Sequence, residues 1–330
     1  MKFILGLFSS FYLIIILLAL GFGGLIALFQ MPGPLQDAME IQIKRGEGIR
    51  EIANRFEQEG IILSQYPFMV GAKLQNNGKP LQAGEFLIPA HYSMSNVLDV
   101  LQNGTTIQRK FTIPEGKTSW EIVQILKGVE HLTGEIVTIP PEGSLMPDTY
   151  FYAKGDTREE KIARMQSAMS DFINSQDETA LKDLPFETME EVAIMASIVE
   201  KETPVASEYP MVAGVFINRL RIGMPLQTDP TIIYGITRGK HKNEGVGPLG
   251  RRLLTRDIQK DSDYNTYTRN GLTPTPICNP GRGAIEAVLN PAKHDYLYFV
   301  ADGTGGHAFG KTLAEHNANV AKWRKIRSNQ

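Results

Sequence analysis

Two acidic residues follow an apolar run, residues 195–199, in the second half of the chain. Glu200 comes directly after this run, and Glu202 lies two positions later. Burying an ionised carboxyl costs free energy, so a glutamate at the end of an apolar helix tends to be neutral, paired or catalytic. A neutral glutamic acid in a cleft can protonate a leaving oxygen. Cleavage of a glycosidic bond needs that chemistry.

The helix that positions Glu200 is predicted to begin at a capping box, because Thr188 precedes Glu191 by three residues. Apolar residues then cover nearly every face, which predicts a helix buried on most sides with Glu200 near its end. There, burial and the negative end of the helix dipole both favour a neutral carboxyl. The alternative is a structural glutamate held by a cation such as Arg219 on the next helix.

Glu202 and Asp229 are the other carboxylates nearby in the sequence. Two carboxylates that flank a sugar indicate hydrolysis, whereas a single glutamate indicates attack by the sugar's own hydroxyl group. Glu202 can instead pair with Lys201 or Arg221. Asp229 also fits an ordinary helix start, since a proline follows it, but that interpretation leaves Gln227 unexplained.

A stretch that mixes rings with amides and hydroxyls provides further candidates for sugar binding. Aromatic rings cover the apolar faces of sugars, and amides bond to their hydroxyls. The alternative is a turn-rich connection that contains two core tyrosines. The candidates in this stretch are Tyr264, Asn265, Thr266 and Tyr267. A Pro-Gly loop at 271–281 follows them, and Asn218 is a further polar candidate inside an apolar helix.

The histidines and the single cysteine give no metal motif. His294, His307 and His316 match no metal-binding spacing, and Cys278 has no second thiol to join it. Structural roles are the simpler interpretation, although His307, beside a Gly-Gly turn, stays a candidate for lining the site. The lone Cys278 excludes an internal disulfide and is interpreted as a structural thiol.

An uncharged, mostly apolar segment opens the chain. Residues 3–29 contain no charged side chain, and about 20 apolar residues are enough to span a bilayer. We expect an uncleaved anchor over residues 1–32, with Lys2 on the inner side; a cleaved signal peptide is the alternative. The net charge of −2 gives no indication of a nucleic-acid partner.

The rest of the chain predicts an α+β fold. Residues 38–105 have a strand–helix–helix–strand pattern that resembles a LysM-type glycan-binding module. Part of this pattern recurs further on, since Ile43, Gly46, Glu51 and Ile52 correspond to Ile113, Gly116, Glu121 and Ile122. Two short strands near 296–309 and a helix capped by Thr312 close the chain.

Several motifs then occur in one order along the chain. They are PDTY at 147–150, ASIVEKE at 196–202, VFINRL at 215–220, LQTDP at 226–230, YNTY at 264–267, GLTP at 271–274, YFV at 298–300 and GHAF at 306–309. With these motifs the chain resembles the endolytic murein transglycosylase (YceG-like) family over nearly its whole length. The resemblance implies a catalytic region at 106–330, with its core at about 186–330.

The resemblance also implies an activity. Glu200 is the implied catalytic acid of a lyase that cuts the MurNAc–GlcNAc β-1,4 bond within peptidoglycan strands without water and leaves 1,6-anhydro ends. The implied protein spans the inner membrane once, with its N-terminus in the cytoplasm and its catalytic region in the periplasm. It acts beside cell-wall synthases (penicillin-binding proteins) and terminates nascent strands, with no metal or cofactor.

Two features depart from the family pattern, namely a long segment at 238–263 and the position of Cys278. Two other functions stay open. One is a non-catalytic peptidoglycan-binding scaffold for synthases, and the other is a lysozyme-like hydrolase.

Overall fold

The structure is a computed structural model that describes residues 2–74, 80–241 and 248–328, with side chains from Tyr12 onward. The chain divides into two compact units. Unit 1 comprises Met1–Arg109 and Phe151–Lys154, and unit 2 comprises Lys110–Tyr150 and Gly155–Gln330. Helices and short two-stranded sheets occur together, which confirms the α+β prediction.

Unit 1 begins with the expected apolar helix, α1, which spans Lys2–Gln30. The part of α1 with described side chains, Tyr12–Gln30, has a mean hydropathy of 2.6 and is long and apolar enough to cross a membrane. The helix is therefore compatible with a membrane anchor.

The strand–helix–helix–strand order predicted after α1 is present. The first strand pairs with the second in an antiparallel register that runs from Met39↔Ile88 to Ile43↔Gly84. A helix capped by the Ser93 side chain follows them. These elements are β1 (Met39–Ile43), α2 (Ile49–Gln58), α3 (Gln65–Leu74), β2 (Gly84–Ile88) and α4 (Met94–Asn103). The likeness to a LysM module and the proposed domain boundaries stay predictions.

The core of unit 1 lies between this hairpin and its helices. Phe56 of α2 and Phe68 of α3 are fully buried, with ring centroids 6.1 Å apart. Phe86 of β2 and Leu98 of α4 complete the same apolar cluster. The apolar spacing of α2 therefore places one face of that helix in the core, as its sequence predicts.

The Gly turns of the predicted repeat adopt the same backbone conformation. Gly46 and Gly116 have φ angles of +81° and +72°, a left-handed region that favours glycine. Each turn leads into a helix whose start carries a glutamate, Glu51 or Glu121, bonded back to the backbone at the cap. The local similarity agrees with the repeat, and its origin by duplication stays a hypothesis.

Unit 2 contains the described helices that follow α4. Strands β3 (Arg109–Thr112) and β4 (Thr149–Tyr152) form a two-stranded sheet. Strands β5 (Tyr298–Ala301) and β6 (His307–Gly310) form an antiparallel hairpin. The helices are α5 (Ser119–Gly128), α6 (Arg158–Asn174), α7 (Met189–Glu202), α8 (Tyr209–Arg221), α9 (Asp229–Thr237), α10 (Thr255–Gln259), α11 (Arg282–Leu289) and α12 (Leu313–Ser328), with 3-10 turns at Glu178–Asp183 and Ala206–Glu208.

Helix α7 is the central element of unit 2. Its start is capped by Thr188, whose side chain accepts a bond from the Glu191 nitrogen, as the capping box predicts. Every residue from Val192 to Val199 is buried, and α7 packs against α8 and α11. The predicted helix, buried on most sides with Glu200 in its last turn, is confirmed.

Candidate active site

The Glu200 carboxyl lies between the starts of two helices. The Tyr209 hydroxyl, on the first residue of α8, donates to Glu200 Oε1 at 2.8 Å. The backbone N–H of Gly281, the residue that caps α11, donates to Glu200 Oε2 at 3.1 Å. Glu200 is half-buried. Each carboxyl oxygen thus has its own donor, and the side chain keeps a path to solvent.

Tyr209 suits a carboxyl that changes its protonation state. A phenol hydroxyl can donate to a carboxylate and can accept from a carboxylic acid, so the contact survives when Glu200 gains or loses its proton. Tyr209 is 5% exposed, and its ring belongs to the core of unit 2. Burial and the adjacent Glu200 raise the pKa of Tyr209, which keeps its hydroxyl protonated.

The interpretation of Glu200 as an acid held by Arg219 is wrong. The Arg219 guanidinium donates to the backbone oxygens of Leu297 and Leu226, both at 2.6 Å. Its carbon also lies 5.6 Å from the centroid of the Tyr298 ring. Arg219 therefore holds two loops to α8, and within the described residues no ion pair to Glu200 is found.

The turn at Gly116 lies against the Glu200 side chain. A Cβ on Gly116 would lie 3.4 Å from Glu200 Cγ, and the positive φ of this residue already strains any side chain. The Gly116 nitrogen donates to Asn279 O at 3.0 Å, and Lys201 Nζ donates to Gly116 O at 3.3 Å. The backbone of this turn thus forms one wall beside Glu200.

Asn279 joins the two loops that surround Glu200. Its side chain is fully buried, and its Oδ1 accepts from the Leu145 nitrogen at 2.9 Å. Its Nδ2 donates to Lys117 O at 3.0 Å and lies 3.1 Å from Ser119 Oγ. Because these partners come from separate segments, Asn279 fixes the 113–119 loop against the 277–281 loop.

Cys278 is a buried structural thiol, as the sequence predicts. Its Sγ donates to Ser197 O at 3.3 Å, and burial raises its pKa well above the ordinary value. A reactive cysteine needs a lowered pKa and an accessible sulfur, so the buried Cys278 fits a structural role.

A second carboxyl, Glu115, lies beside Glu200, and sequence reasoning missed it. Glu115 Oε1 is 1.9 Å from the position that a Cβ on Gly281 would occupy. That position is about 2.5 Å from the Gly281 nitrogen by standard geometry, which puts Glu115 Oε1 within ~7.5 Å of Glu200 Oε2. Partial burial and the Glu200 charge raise the pKa of Glu115. The sequence feature that could have indicated Glu115 is its position directly before Gly116, which belongs to the repeated pattern.

Glu202 points to a different set of partners from Glu200. Thr228 Oγ1 donates to Glu202 Oε2 at 2.7 Å. Burial, with a further contribution from Asp229, raises the pKa of Glu202 despite this hydrogen bond. The alternative pairing of Glu202 with Lys201 or Arg221 is wrong, because Lys201 bonds to the Gly116 turn and Arg221 bonds to Asp183 O.

The structure brings the predicted segments 226–230 and 264–267 together beside Glu202. Tyr267 donates its hydroxyl to Asp229 Oδ1 at 2.7 Å. The Thr228 nitrogen donates to Thr266 Oγ1 at 3.1 Å, and the Gln227 nitrogen donates to Thr266 O at 3.0 Å. Gln227 adopts a positive φ of 50°, which turns the chain at this point. Asp229 begins α9, as its proline predicts.

Tyr264 and Asn265, by contrast, bond within the surrounding loops. The Tyr264 hydroxyl lies 2.8 Å from Thr275 Oγ1, and Arg238 lies 4.6 Å from its ring centroid. Asn265 is buried, and its Nδ2 donates to the backbone oxygens of Ile258 and Lys260. These contacts account for both residues structurally, so their role in sugar binding stays a prediction.

Asn218 and His307 also have protein partners. Asn218 Nδ2 donates to His294 O at 2.7 Å, and Asn218 lines a groove of about 960 Å³ that Glu200 does not line. His307 Nδ1 lies 2.7 Å from Glu208 Oε2. Burial would raise the pKa of Glu208, but hydrogen bonds from His307 outweigh it and lower that pKa. Thr203 also donates to Glu208, which links His307 to the end of α7.

The segment 238–263 lies partly outside the described residues, which omit 242–247. In its described part, Arg251 forms a bidentate pair with Asp257, at 2.6 and 3.0 Å, beside the short helix α10. His241 Nδ1 lies 3.1 Å from Glu121 Oε1.

Together the fold and the site define a class. The molecule is an α+β protein in which a half-buried glutamate, at the end of a buried helix, accepts hydrogen bonds from a hydroxyl and a helix-start amide. A second carboxyl lies near it. Such a site has the groups for acid–base chemistry. The chain belongs to the YceG-like family, whose family model matches residues 41–322. This match confirms the resemblance drawn from the motifs.

The chain is also similar to proteins with assigned functions and to a protein of known structure. An endolytic murein transglycosylase of Bacillus subtilis (strain 168) is 31% identical over 318 residues, which cover 86% of this chain and 84% of that protein. One of Streptococcus pneumoniae serotype 2 is 30% identical over 331 residues, which cover 86% of this chain and 58% of that protein. The 2.6 Å crystal structure of a yceG-like protein of Listeria monocytogenes is 30% identical, has a TM-score of 0.53 and covers 86% of this chain and 98% of that one.

Proposed function

We propose that this protein is a peptidoglycan lytic transglycosylase, a lyase that cuts the MurNAc–GlcNAc β-1,4 bond within glycan strands and leaves 1,6-anhydro-MurNAc ends. The observation that carries this proposal is the Glu200 carboxyl, half-buried, with a separate donor on each oxygen. The names of the similar proteins from Bacillus and Streptococcus agree with it.

In the proposed reaction Glu200 acts first as acid and then as base. Its proton passes to the bridging O4 as the bond from that oxygen to C1 of MurNAc breaks. The resulting carboxylate then accepts the proton of the C6 hydroxyl, whose oxygen bonds to C1. The proton count balances, and no water is consumed. Tyr209 stays bonded to Glu200 in both protonation states, which suits one residue that serves twice.

Glu115 places a second carboxyl near Glu200. Positive charge develops on C1 in the transition state of glycosidic cleavage. In its ionised form Glu115 would stabilise that charge, because it lies near Glu200. The same residue also favours the second candidate function, a lysozyme-like hydrolase, because hydrolysis commonly uses a carboxylate pair.

Glycan-binding groups are proposed beside Glu202. A cluster of hydroxyls and carboxyls lies next to the end of α7. In it Thr228 bonds to Glu202, and Tyr267 bonds to Asp229. Carboxylates and hydroxyls bind sugar hydroxyls, and an aromatic ring can cover an apolar sugar face.

The proposed location follows from α1. We place this helix in the inner membrane, with the N-terminus in the cytoplasm and the remainder in the periplasm, where nascent strands and their synthases are found. The apolar length of α1 supports this placement. At such a position the lyase would terminate strand elongation.

The test is the chemical nature of the products. Full-length protein is incubated with uncrosslinked glycan strands, and the fragments are identified by mass spectrometry. We expect anhydro-MurNAc ends from wild type and none from Glu200→Gln. The matched control is Glu190→Gln, which removes an exposed carboxyl from the other end of α7.

Other results identify the alternatives. Reducing ends that carry oxygen from labelled water, lost in both Glu200→Gln and Glu115→Gln, would establish hydrolysis. Strands that bind but stay intact with wild type would refute an enzyme and favour a scaffold. If Glu200→Gln kept full activity, the assignment of the acid would be wrong.

A further inference from the structure

Helix α3 of unit 1 exposes a stripe of apolar side chains. Tyr66, Val70 and Leu74 are 68%, 39% and 66% exposed and follow one another at a spacing of four residues, so they share one side of the helix. On the other side, Phe68 is buried in the core of unit 1. We call Tyr66, Val70 and Leu74 the α3 stripe.

The α3 stripe lies next to the apolar helix α1. The two helices approach closely at Gly71, where a Cβ would lie 2.3 Å from Cε2 of the Phe29 ring. A crevice of about 370 Å³ opens beside this contact. Phe22 and Ile26 of α1 line it together with Val70 and Leu74 of α3. The exposed surface of α1 therefore continues directly onto the α3 stripe.

The position along α1 sets the depth of this contact. At ~1.5 Å per residue the helix is ~43 Å long, whereas the hydrocarbon core of a bilayer is ~30 Å thick. Phe22, Ile26 and Phe29 belong to the last turns of the membrane-crossing candidate Tyr12–Gln30. Helix α3 thus lies beside the end of the span, where the hydrocarbon gives way to headgroups.

The residue types of α3 suit that layer. Tyrosine is enriched where the hydrocarbon meets water, because its ring is apolar and its hydroxyl is polar. Lys73, also exposed, can extend its ammonium group towards the headgroups while its methylenes stay in apolar surroundings.

We propose that the α3 stripe lies in the interfacial layer of the bilayer that holds α1, so that phospholipid covers it and fills the crevice. This inference rests on the proposed membrane anchoring of α1. It makes unit 1 a body docked on the membrane surface. The alternative is a body tethered by a free linker. A glycan strand bound by unit 1 would then be held close to the bilayer.

The experiment measures contact with lipid in the full-length chain. Single cysteines replace Tyr66, Leu17 of α1 and Leu87 of β2, in a Cys278→Ser background, and each carries a bimane fluorophore. Leu87 is the matched control, an exposed apolar residue of the same unit that lies opposite the charged Glu40 in the β1–β2 hairpin. The proteins are reconstituted in phosphatidylcholine–phosphatidylglycerol vesicles, with or without lipid that carries a spin-label quencher. The quencher lies near the headgroup for positions 66 and 87, and along the acyl chain for position 17.

The three labelled positions distinguish the docking of α3 from the membrane anchoring of α1, on which it depends. We expect strong quenching at Leu17→Cys and Tyr66→Cys, and several-fold weaker quenching at Leu87→Cys. Quenching at position 17 with no more at position 66 than at position 87 would overturn the docking of α3 and leave the anchor in place. Absence of quenching at position 17 would refute the anchor itself. Thermal unfolding of each variant shows whether it is folded.

Discussion

The contact between Tyr209 and Glu200 gives the sharpest test of the site. Tyr209→Phe removes one hydroxyl and keeps the ring, which packs in the core of unit 2. The variant therefore deletes the 2.8 Å hydrogen bond to Glu200 Oε1 with little change in packing. Because Tyr209 is 5% exposed, no direct contact with a glycan is expected to be lost.

The expected loss of rate follows from the difference between two hydrogen bonds. A bond from the hydroxyl to a carboxylate contributes about 1.5–3 kcal/mol, and one between neutral groups contributes about 0.5–1.5 kcal/mol. Only interactions that strengthen on the way to the transition state change kcat. As Glu200 gives up its proton, the bond strengthens by ~1–1.5 kcal/mol, so Tyr209→Phe should lower kcat roughly 5- to 12-fold. KM should stay unchanged.

The assay is the initial rate of anhydro-end formation at saturating glycan, measured with KM and with thermal unfolding. Tyr150→Phe is the matched control, because Tyr150 is equally buried and its hydroxyl donates to Met146 O at 2.7 Å. Both variants should lose similar stability, and only Tyr209→Phe should lose kcat. A Tyr209→Phe enzyme with wild-type kcat, or equal losses in both variants, would refute the reasoning.

Three further changes test the surroundings of the site. Burial raises the pKa of Glu142 from 4.5 to about 7, so the folded chain binds the carboxyl proton more tightly than the unfolded chain does. The free energy of unfolding should therefore fall by ~3 kcal/mol as the pH rises from about 4.5 to about 7. Glu142→Gln should abolish that fall in thermal unfolding; an equal change in Tm at about pH 5 and pH 8 would contradict it. Asn279→Ala leaves several buried partners unbonded and should cost ~3 kcal/mol or more in denaturant unfolding; a loss below ~1 kcal/mol would show that the loops do not depend on it. The φ of −76° at Gly281 is acceptable for alanine, but the added Cβ would displace the Glu115 carboxyl. Gly281→Ala should therefore lower kcat as Glu115→Gln does, and the double variant should lose no more kcat than either single variant. Additive losses of kcat would contradict this contact.

Features set by neighbours along the chain could be predicted from the sequence. The capping box at Thr188 and the unbroken apolar surface of Val192–Val199 predict α7 and put Glu200 in its last turn, because helix signals depend on residues a few positions apart. The uncharged opening segment predicts α1 in the same way. The string of motifs is sufficient to identify the family.

The partners of Glu200 could not be predicted, because they come from other parts of the chain. Arg219 is a candidate partner only by its place on the next helix, and the packing of α8 directs it to backbone oxygens of two loops instead. Tyr209 comes from the start of that helix, and Gly281 comes from a loop far along the chain. No local pattern encodes such contacts.

The sequence by itself determined which acid stands at the end of a buried helix and which family carries it. Only the tertiary structure decided what surrounds that acid, since the packing of α8 and α11 on α7 sets which hydroxyl and which amide reach Glu200. It also placed Glu115 beside Glu200, by folding the 113–119 loop onto the 277–281 loop through the buried Asn279. The helix is a local property of its residues, whereas the site depends on how distant segments pack.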